Sequence, residues 1–287
     1  MINFNNATIT NVYRGSTQVK KIYQGTNLVY ELPYDTDAQA FITAAGLTDG
    51  TQMDAVNDLV LGLKQDGLWF ETALAIYPMV GGTADSHKYN LLNPANTNAA
   101  FRLTFNGGWT HSATGAKPNG TNAWAETYIV PNATSFLSTG GFIGYYSRTQ
   151  SNGNQTVEMG LADGNKSVFM AIRWTTGQEM FRAMSGSQSG PTANATTTGW
   201  WGVYRNNTTT VETRRNTTIF ATDTQAFGGL STQSIILGAY RLSGTPNYFS
   251  DRECAFAVIG NITLTSTDKT KLYNRIQTFQ TTLGRQV

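Results

Sequence analysis

The chain has 287 residues, 40% hydrophobic and 11% aromatic, which suffices for one large β-domain or for a small module plus a medium one. Only 13% are charged, about half of the roughly 25% usual in soluble domains, so Asn, Thr, Ser, Gln and Gly supply a neutral polar surface suited to the outside of cells or to a large assembly. With 20 Lys+Arg against 18 Asp+Glu and no basic run beyond Lys20-Lys21 and Arg214-Arg215, the net charge of +2 argues against nucleic-acid and anionic-membrane partners.

The N-terminal stretch carries a short repeat. Val12-Tyr13-Arg14-Gly15-Ser16-Thr17-Gln18-Val19 recurs as Ile22-Tyr23-Gln24-Gly25-Thr26-Asn27-Leu28-Val29. Each copy reads as strand, tight turn, strand, with Gly15 and Gly25 supplying the positive φ of the turn. Residues 8–31 are therefore expected to form a small meander of short strands, within a segment 1–32 that Pro33 closes. Such a meander has too little core to stand alone and must dock on something. Its start has neither a basic nor an apolar leader pattern, and no stretch reaches the ~20 apolar residues of a membrane span. Synthesis in a host cytoplasm, without an export signal, is expected.

Residues 33–67 read as a helical connector. Thr36-Asp37 can cap a helix carrying Ala38, Phe41, Ile42 and Ala45, stopped by Gly46. A second helix presents Met53, Val56, Leu59, Val60 and Leu63, with Thr48 or Thr51 as its N-cap and Gly67 just past its end. From residue 68 onward, strand-length apolar runs alternate with turn clusters. The runs are Leu74–Tyr77, Ala99–Phe105, Gly141–Tyr146, Val168–Ile172, Trp200–Tyr204 and Ser234–Gly238; the clusters include Lys117–Gly120, Ser151–Asn154, Asp163–Asn165 and Arg205–Thr208. Many short strands at this spacing predict a sandwich or jelly roll. The lone Cys254 sits in an apolar run, Cys254–Ile259, as a buried thiol, and no disulfide or CxxC motif is possible. Thr265–Asp268 then caps a final helix whose stripe is Leu272, Ile276, Phe279 and Leu283, stopped at Gly284.

Several of these segments together resemble a known family. They are His87-Lys88-Tyr89-Asn90-Leu91-Leu92-Asn93-Pro94, Phe101 to His111, Gly115 to Asn122, and the strand-then-helix ending from Ala255 to Val287. The stretch 69–287 resembles the concanavalin A-like (laminin-G-type) jelly-roll domains of bacteriophage tail, fibre and head-decoration proteins. The Tyr-Gly repeat is similar to the attachment segments that open many phage structural proteins. The resemblance implies a mainly β protein: a jelly-roll sandwich over 68–287, preceded by an attachment segment over 1–32 that uses Tyr13, Gly15, Tyr23 and Gly25. It further implies a structural component of a virion, binding other virion proteins through residues 1–32 within a homo-oligomer, with no membrane insertion. The alternative is a module that recognises host-surface glycans or mucus; a polysaccharide depolymerase is less favoured.

No enzyme activity is expected. The Glu-x-Asp-x-x-Glu strand of β-glucan hydrolases in this sandwich class is absent. Asp251 and Glu253 share a strand face at a spacing compatible with a carboxylate pair, but read better as a solvated charge cluster. No Gly-x-Ser-x-Gly elbow occurs. His87 and His111, the only histidines, lack acidic residues at metal-ligand spacing. No cofactor is expected. Calcium is the metal the resemblance leaves open, on Asp163-Gly164-Asn165. Glycan binding would use exposed aromatics beside amides, and the candidates are Trp109 with Asn106, Trp124 with Asn122, and Trp200-Trp201. Because strand neighbours point to opposite faces, either Trp200 or Trp201 must face away from its own sheet's core.

Overall fold

A computed structural model describes the chain apart from residues 1–2, 5–6, 9–11, 15–16, 20, 70–72, 152–154, 176–177 and 187–194. The described residues divide into two compact units, Met1–Thr36 and Asp37–Val287.

The first unit contains three antiparallel pairs: β1 (Asn3–Phe4) with β2 (Ala7–Thr8), β3 (Tyr13–Arg14) with β4 (Thr17–Gln18), and β5 (Lys21–Gln24) with β6 (Asn27–Glu31). Both copies of the repeat thus form hairpins. Gly25 has the φ of +62° its turn requires, whereas Gly15 and Ser16 lie outside the described residues. Lys21 and Glu31, directly opposite in register, form a salt bridge of 3.1 Å.

The second unit opens with α1 (Thr36–Ala44) and α2 (Gly50–Gln65). The N-cap of α2 is Asp49, whose Oδ1 accepts the Gln52 N–H at 2.8 Å, and not Thr48 or Thr51: a carboxylate is the stronger acceptor at a helix N-terminus. Then follow β7 (Ala75–Tyr77), α3 (Ala84–His87), β8 (Thr104–Asn106), β9 (Trp109–Ser112), β10 (Gly115–Pro118) and β11 (Trp124–Glu126). The expected strand over Ala99–Phe105 is interrupted. Asn98–Ala100 is a 3-10 turn capped by Thr97, and Phe101 is left-handed at φ +58°, its carbonyl accepting the Tyr77 hydroxyl at 2.6 Å. Next come β12 (Gly141–Ser147), β13 (Met159–Ala162), β14 (Ser167–Thr175), β15 (Gln178–Ser185), β16 (Gly199–Arg205), β17 (Thr210–Arg215) and β18 (Thr218–Thr224). The chain closes with β19 (Ile236–Leu237), β20 (Tyr240–Leu242), β21 (Thr245–Asn247), β22 (Cys254–Gly260) and α4 (Ser266–Thr282).

These strands make two sheets packed as a sandwich. One runs β18-β17-β16-β12-β22-β10-β9, with β7 also on β22; the other runs β15-β14-β13-β19-β11-β8, extended by β20 and β21. The core between them takes alternate residues of each strand: Ile143 and Tyr145, Met159 and Leu161, Val168, Met170 and Ile172, Trp201 and Val203, Ala257 and Ile259. In β12, β16 and β22 every residue is buried, because α4 covers the other face of the first sheet. Thr265 and Asp268 form the capping box of α4, and Phe279 meets Phe256 edge-on at 5.9 Å. The helix ends one residue before Leu283, which serves as its C-cap. No helix among the described residues is long and apolar enough to cross a membrane.

Candidate functional site

The glycan candidates chosen by sequence separate into two groups. Trp200 and Trp201 are 0% and 1% exposed. Their alternation is as expected, but the face away from the core is not open. Trp200 lies on the α4 side, edge-on to Phe256 at 6.4 Å, its Nε1 donating to the Tyr204 hydroxyl at 3.3 Å. Neither ring can stack on a sugar, which corrects their assignment as candidates.

Trp109, Asn106, Trp124 and Asn122 do converge, since β8 and β11 pair Asn106 directly opposite Trp124. Yet Trp109 Nε1, Asn106 Nδ2 and Asn122 Oδ1 are engaged internally. Trp109 Nε1 donates to the carbonyls of Asn106 (3.0 Å) and Trp124 (3.3 Å), and its ring packs on Phe105 and His111. Asn106 Nδ2 donates to the Thr104 carbonyl, and Asn122 Oδ1 accepts from Gly108 N and Asn119 Nδ2. The Arg241 guanidinium, paired with Glu126, lies 5.5 Å from the Trp124 ring centroid. This corner is built as a clasp between the two sheets. Of the attachment residues, Tyr23 is 56% exposed.

Asp251 and Glu253 precede β22 and do not share a strand face as expected, because the strand begins only at Cys254. Glu253 accepts from Thr114 Oγ1 and pairs with Arg148 at 3.2 Å, while Asp251 Oδ2 accepts from Ser151 Oγ at 2.8 Å. Glu158 is wholly buried against Arg252 at 2.8 Å and accepts from the Ile172 N–H and Ser250 Oγ; desolvation raises its pKa above the ordinary carboxylate value, opposed by that arginine. His87 and His111 meet, with Nδ1 atoms 2.9 Å apart, so one ring is donor and the other acceptor. Burial, with His111 and Arg285 nearby, pushes the His87 pKa down to about 3. No cluster of three His, Cys, Asp or Glu occurs among the described residues. The Asp163-Gly164-Asn165 turn does not fit calcium: it offers one carboxylate, already accepting from Ser231 Oγ at 2.8 Å, against the 6–8 oxygens the ion takes.

A different site emerges on the outer face of the second sheet. The strands that send Val168, Met170, Ile172 and Phe181 inward send Phe169, Ala171, Met180 and Arg182 outward. There Phe169, Ala171, Met180, Val157, Ala162 and Tyr240 form a second apolar cluster, with Trp174 packed against it. A groove of about 280 Å³ runs over it, with Trp174, Tyr240, Phe169 and Met180 among its lining residues. Tyr248, itself 37% exposed, has its ring 4.8 Å from Trp174 and 5.4 Å from Tyr240. Arg182 stands opposite Phe169 in register, with its guanidinium 5.5 Å from that ring. Partial burial lowers the pKa of Arg182 and raises that of Tyr240. Sequence inspection missed Trp174, Tyr240 and Tyr248, because they lie on different strands and a loop and no local motif links them.

Other hollows are poorer. That beside Asn90 and Asn93 is otherwise lined by apolar residues, and the Asn90 amide is already engaged: its Oδ1 accepts from Ile76 N and Leu92 N, and its Nδ2 donates to the carbonyls of Leu74 and Ala100.

No protein-family model matches the chain. No curated protein matches its sequence. Solved structures match in fold. One is botulinum neurotoxin type C, whose uptake into cells is described as dependent upon interaction with two ganglioside molecules: 12% identity, TM-score 0.53, covering 72% of this chain and 52% of that one. Another is the binding domain of botulinum neurotoxin DC in complex with rat synaptotagmin II, with 12% identity, TM-score 0.51 and the same coverage. The chain spans about half the length of these structures. At such identity the likeness is one of fold, and it defines the class: a jelly-roll-like β-sandwich with a C-terminal helix.

Proposed function

We propose that this chain is a non-catalytic glycan-recognition module, and that the groove over Phe169, Trp174, Met180 and Tyr240 is its binding surface. The carrying observation is a groove outside the sandwich core that is lined by two aromatic rings, Trp174 and Tyr240, together with the apolar Phe169 and Met180. Sugar rings present apolar C–H faces and hydroxyl edges, so a few rings beside a few polar groups are what holds them. The fold-level neighbours are in keeping with this, since the two described above concern ganglioside interaction and a complex with synaptotagmin.

A second reading concerns what carries the module. The resemblance to phage structural proteins, together with an N-terminal unit built of separate two-stranded hairpins, supports attachment to a virion through residues 1–32. The test of the binding reading is a glycan array probed with the full chain and with Trp174→Ala. Binding to specific glycans, lost at least about tenfold in the variant, is expected. Binding that survives Trp174→Ala unchanged places recognition elsewhere.

A further inference from the structure

We propose that Lys269 and Asn206 join in an intramolecular isopeptide bond, with Glu212 as the proton carrier, so that α4 is tied covalently to the sandwich. The three side chains come from different places: Asn206 directly follows β16, Glu212 lies on β17, and Lys269 is the fourth residue of α4. Lys269 Nζ donates to Asn206 Oδ1 at 2.6 Å and to Glu212 Oε1 at 3.0 Å. Asn206 Nδ2 donates to Glu212 Oε2 at 3.5 Å. One carboxylate therefore bridges the amine that attacks and the amide nitrogen that leaves. Since Cγ lies one C=O bond of about 1.2 Å beyond Oδ1, Nζ stands within about 3.8 Å of it, near the roughly 3–3.5 Å of a near-attack geometry.

The position is an unusual one for a lysine. Lys269 is 3% exposed and sits near the positive end of a helix dipole, where a cation is disfavoured. The Tyr204 ring lies 4.9 Å from Nζ, so the amine rests against an aromatic face. Burial lowers the Lys269 pKa, opposed by Glu212, which makes the neutral amine more accessible than at a surface. Burial would raise the Glu212 pKa, but hydrogen bonds from Arg214 and Lys269 outweigh it and hold the group below its ordinary value. Glu212 is thus the base. It takes a proton from the Lys269 ammonium, and the freed amine attacks the Asn206 carbonyl carbon to form the Nζ–Cγ bond. Two protons that began on Nζ pass through the carboxylate to Nδ2 as the Cγ–Nδ2 bond breaks, and that nitrogen departs as ammonium. Glu212 ends as the carboxylate it began, still paired with Arg214, and no oxidant or reductant is consumed. The site exchanges a buried cation for a neutral amide.

The experiment is the intact mass of the full chain, unfolded in acid, together with a peptide map. The expected result is a chain lighter than its sequence by one ammonia, and a branched peptide joining Asn206 to Lys269. Lys269→Arg, Asn206→Ala and Glu212→Gln should each return to the mass of their own sequence. Lys269→Arg keeps the cation but cannot form the bond. Its thermal midpoint should fall by on the order of 10 °C, because the crosslink closes a long loop in the unfolded chain. A parent chain at its full sequence mass, with Asn206 and Lys269 recovered in separate linear peptides even after prolonged warm incubation, overturns the proposal and leaves the three residues a buried salt bridge with an amide beside it. Loss of ammonia confined to an Asn-Gly turn, as a succinimide, overturns it equally. The parent's mass and map are read without any variant, so a substitution that prevents folding does not blur the result.

Discussion

The contact between His87 and His111 places two imidazoles where only one proton can sit between the Nδ1 atoms. Burial holds His87 neutral, with a pKa of about 3 against an ordinary 6.5. Above pH 6.5 the folded and unfolded chains carry the same neutral ring, and the full stability is present. Between about 6.5 and 3 the unfolded chain takes up a proton that the folded chain refuses, so stability falls as the pH is lowered through that window. The slope from this group approaches ~1.4 kcal/mol per pH unit. Urea midpoints should therefore drop between pH 7 and pH 4.5, and His87→Gln should flatten that drop. A variant with an unchanged pH profile would show that the acid sensitivity comes from elsewhere. Neither the pairing nor its consequence was legible in the sequence, where the two histidines stand far apart and on different elements.

Among the elements, α4 has the largest consequence for the sandwich. It turns β12, β16 and β22 from half-buried strands into strands buried on both faces, with Trp200 as the main filling on its side. The space is tight at Gly144, where an added Cβ would lie 2.0 Å from the Trp200 ring and 3.0 Å from Val258. Gly144→Ala is expected to destabilise the fold by about 1–3 kcal/mol, the usual cost of overpacking, measured by chemical denaturation. A neutral effect would mean that α4 yields easily. The helix itself was readable from its caps and its Leu272, Ile276 and Phe279 stripe. What it covers was not, because periodicity names an apolar face without naming its partner. The broken strand at Ala99–Phe105 has a similar cause: an apolar run is compatible with a 3-10 turn when Thr97 and Tyr77 claim its polar groups.

At the scale of the whole molecule, the two apolar clusters described above take their buried residues from Ala75 to Ile259, within the second unit. Removal of residues 1–32 is accordingly expected to leave a folded, soluble sandwich with the thermal transition of the parent. If the virion reading holds, such a chain no longer joins the particle; normal incorporation would sink that role for the segment. The sequence by itself determined the class of this protein. Short apolar runs between glycine and asparagine turns specify many strands, capping residues specify the closing helix, and the Tyr-Gly repeat specifies hairpins, since all of these are local choices of backbone geometry and burial period. Only the tertiary structure decided which aromatic rings are available. Alternation tells that Trp200 and Trp201 face opposite ways, but α4, far along the chain, covers Trp200. The groove gathers Phe169, Trp174, Arg182 and Tyr240 from segments that meet only when the sheet forms, and no local pattern records such a meeting.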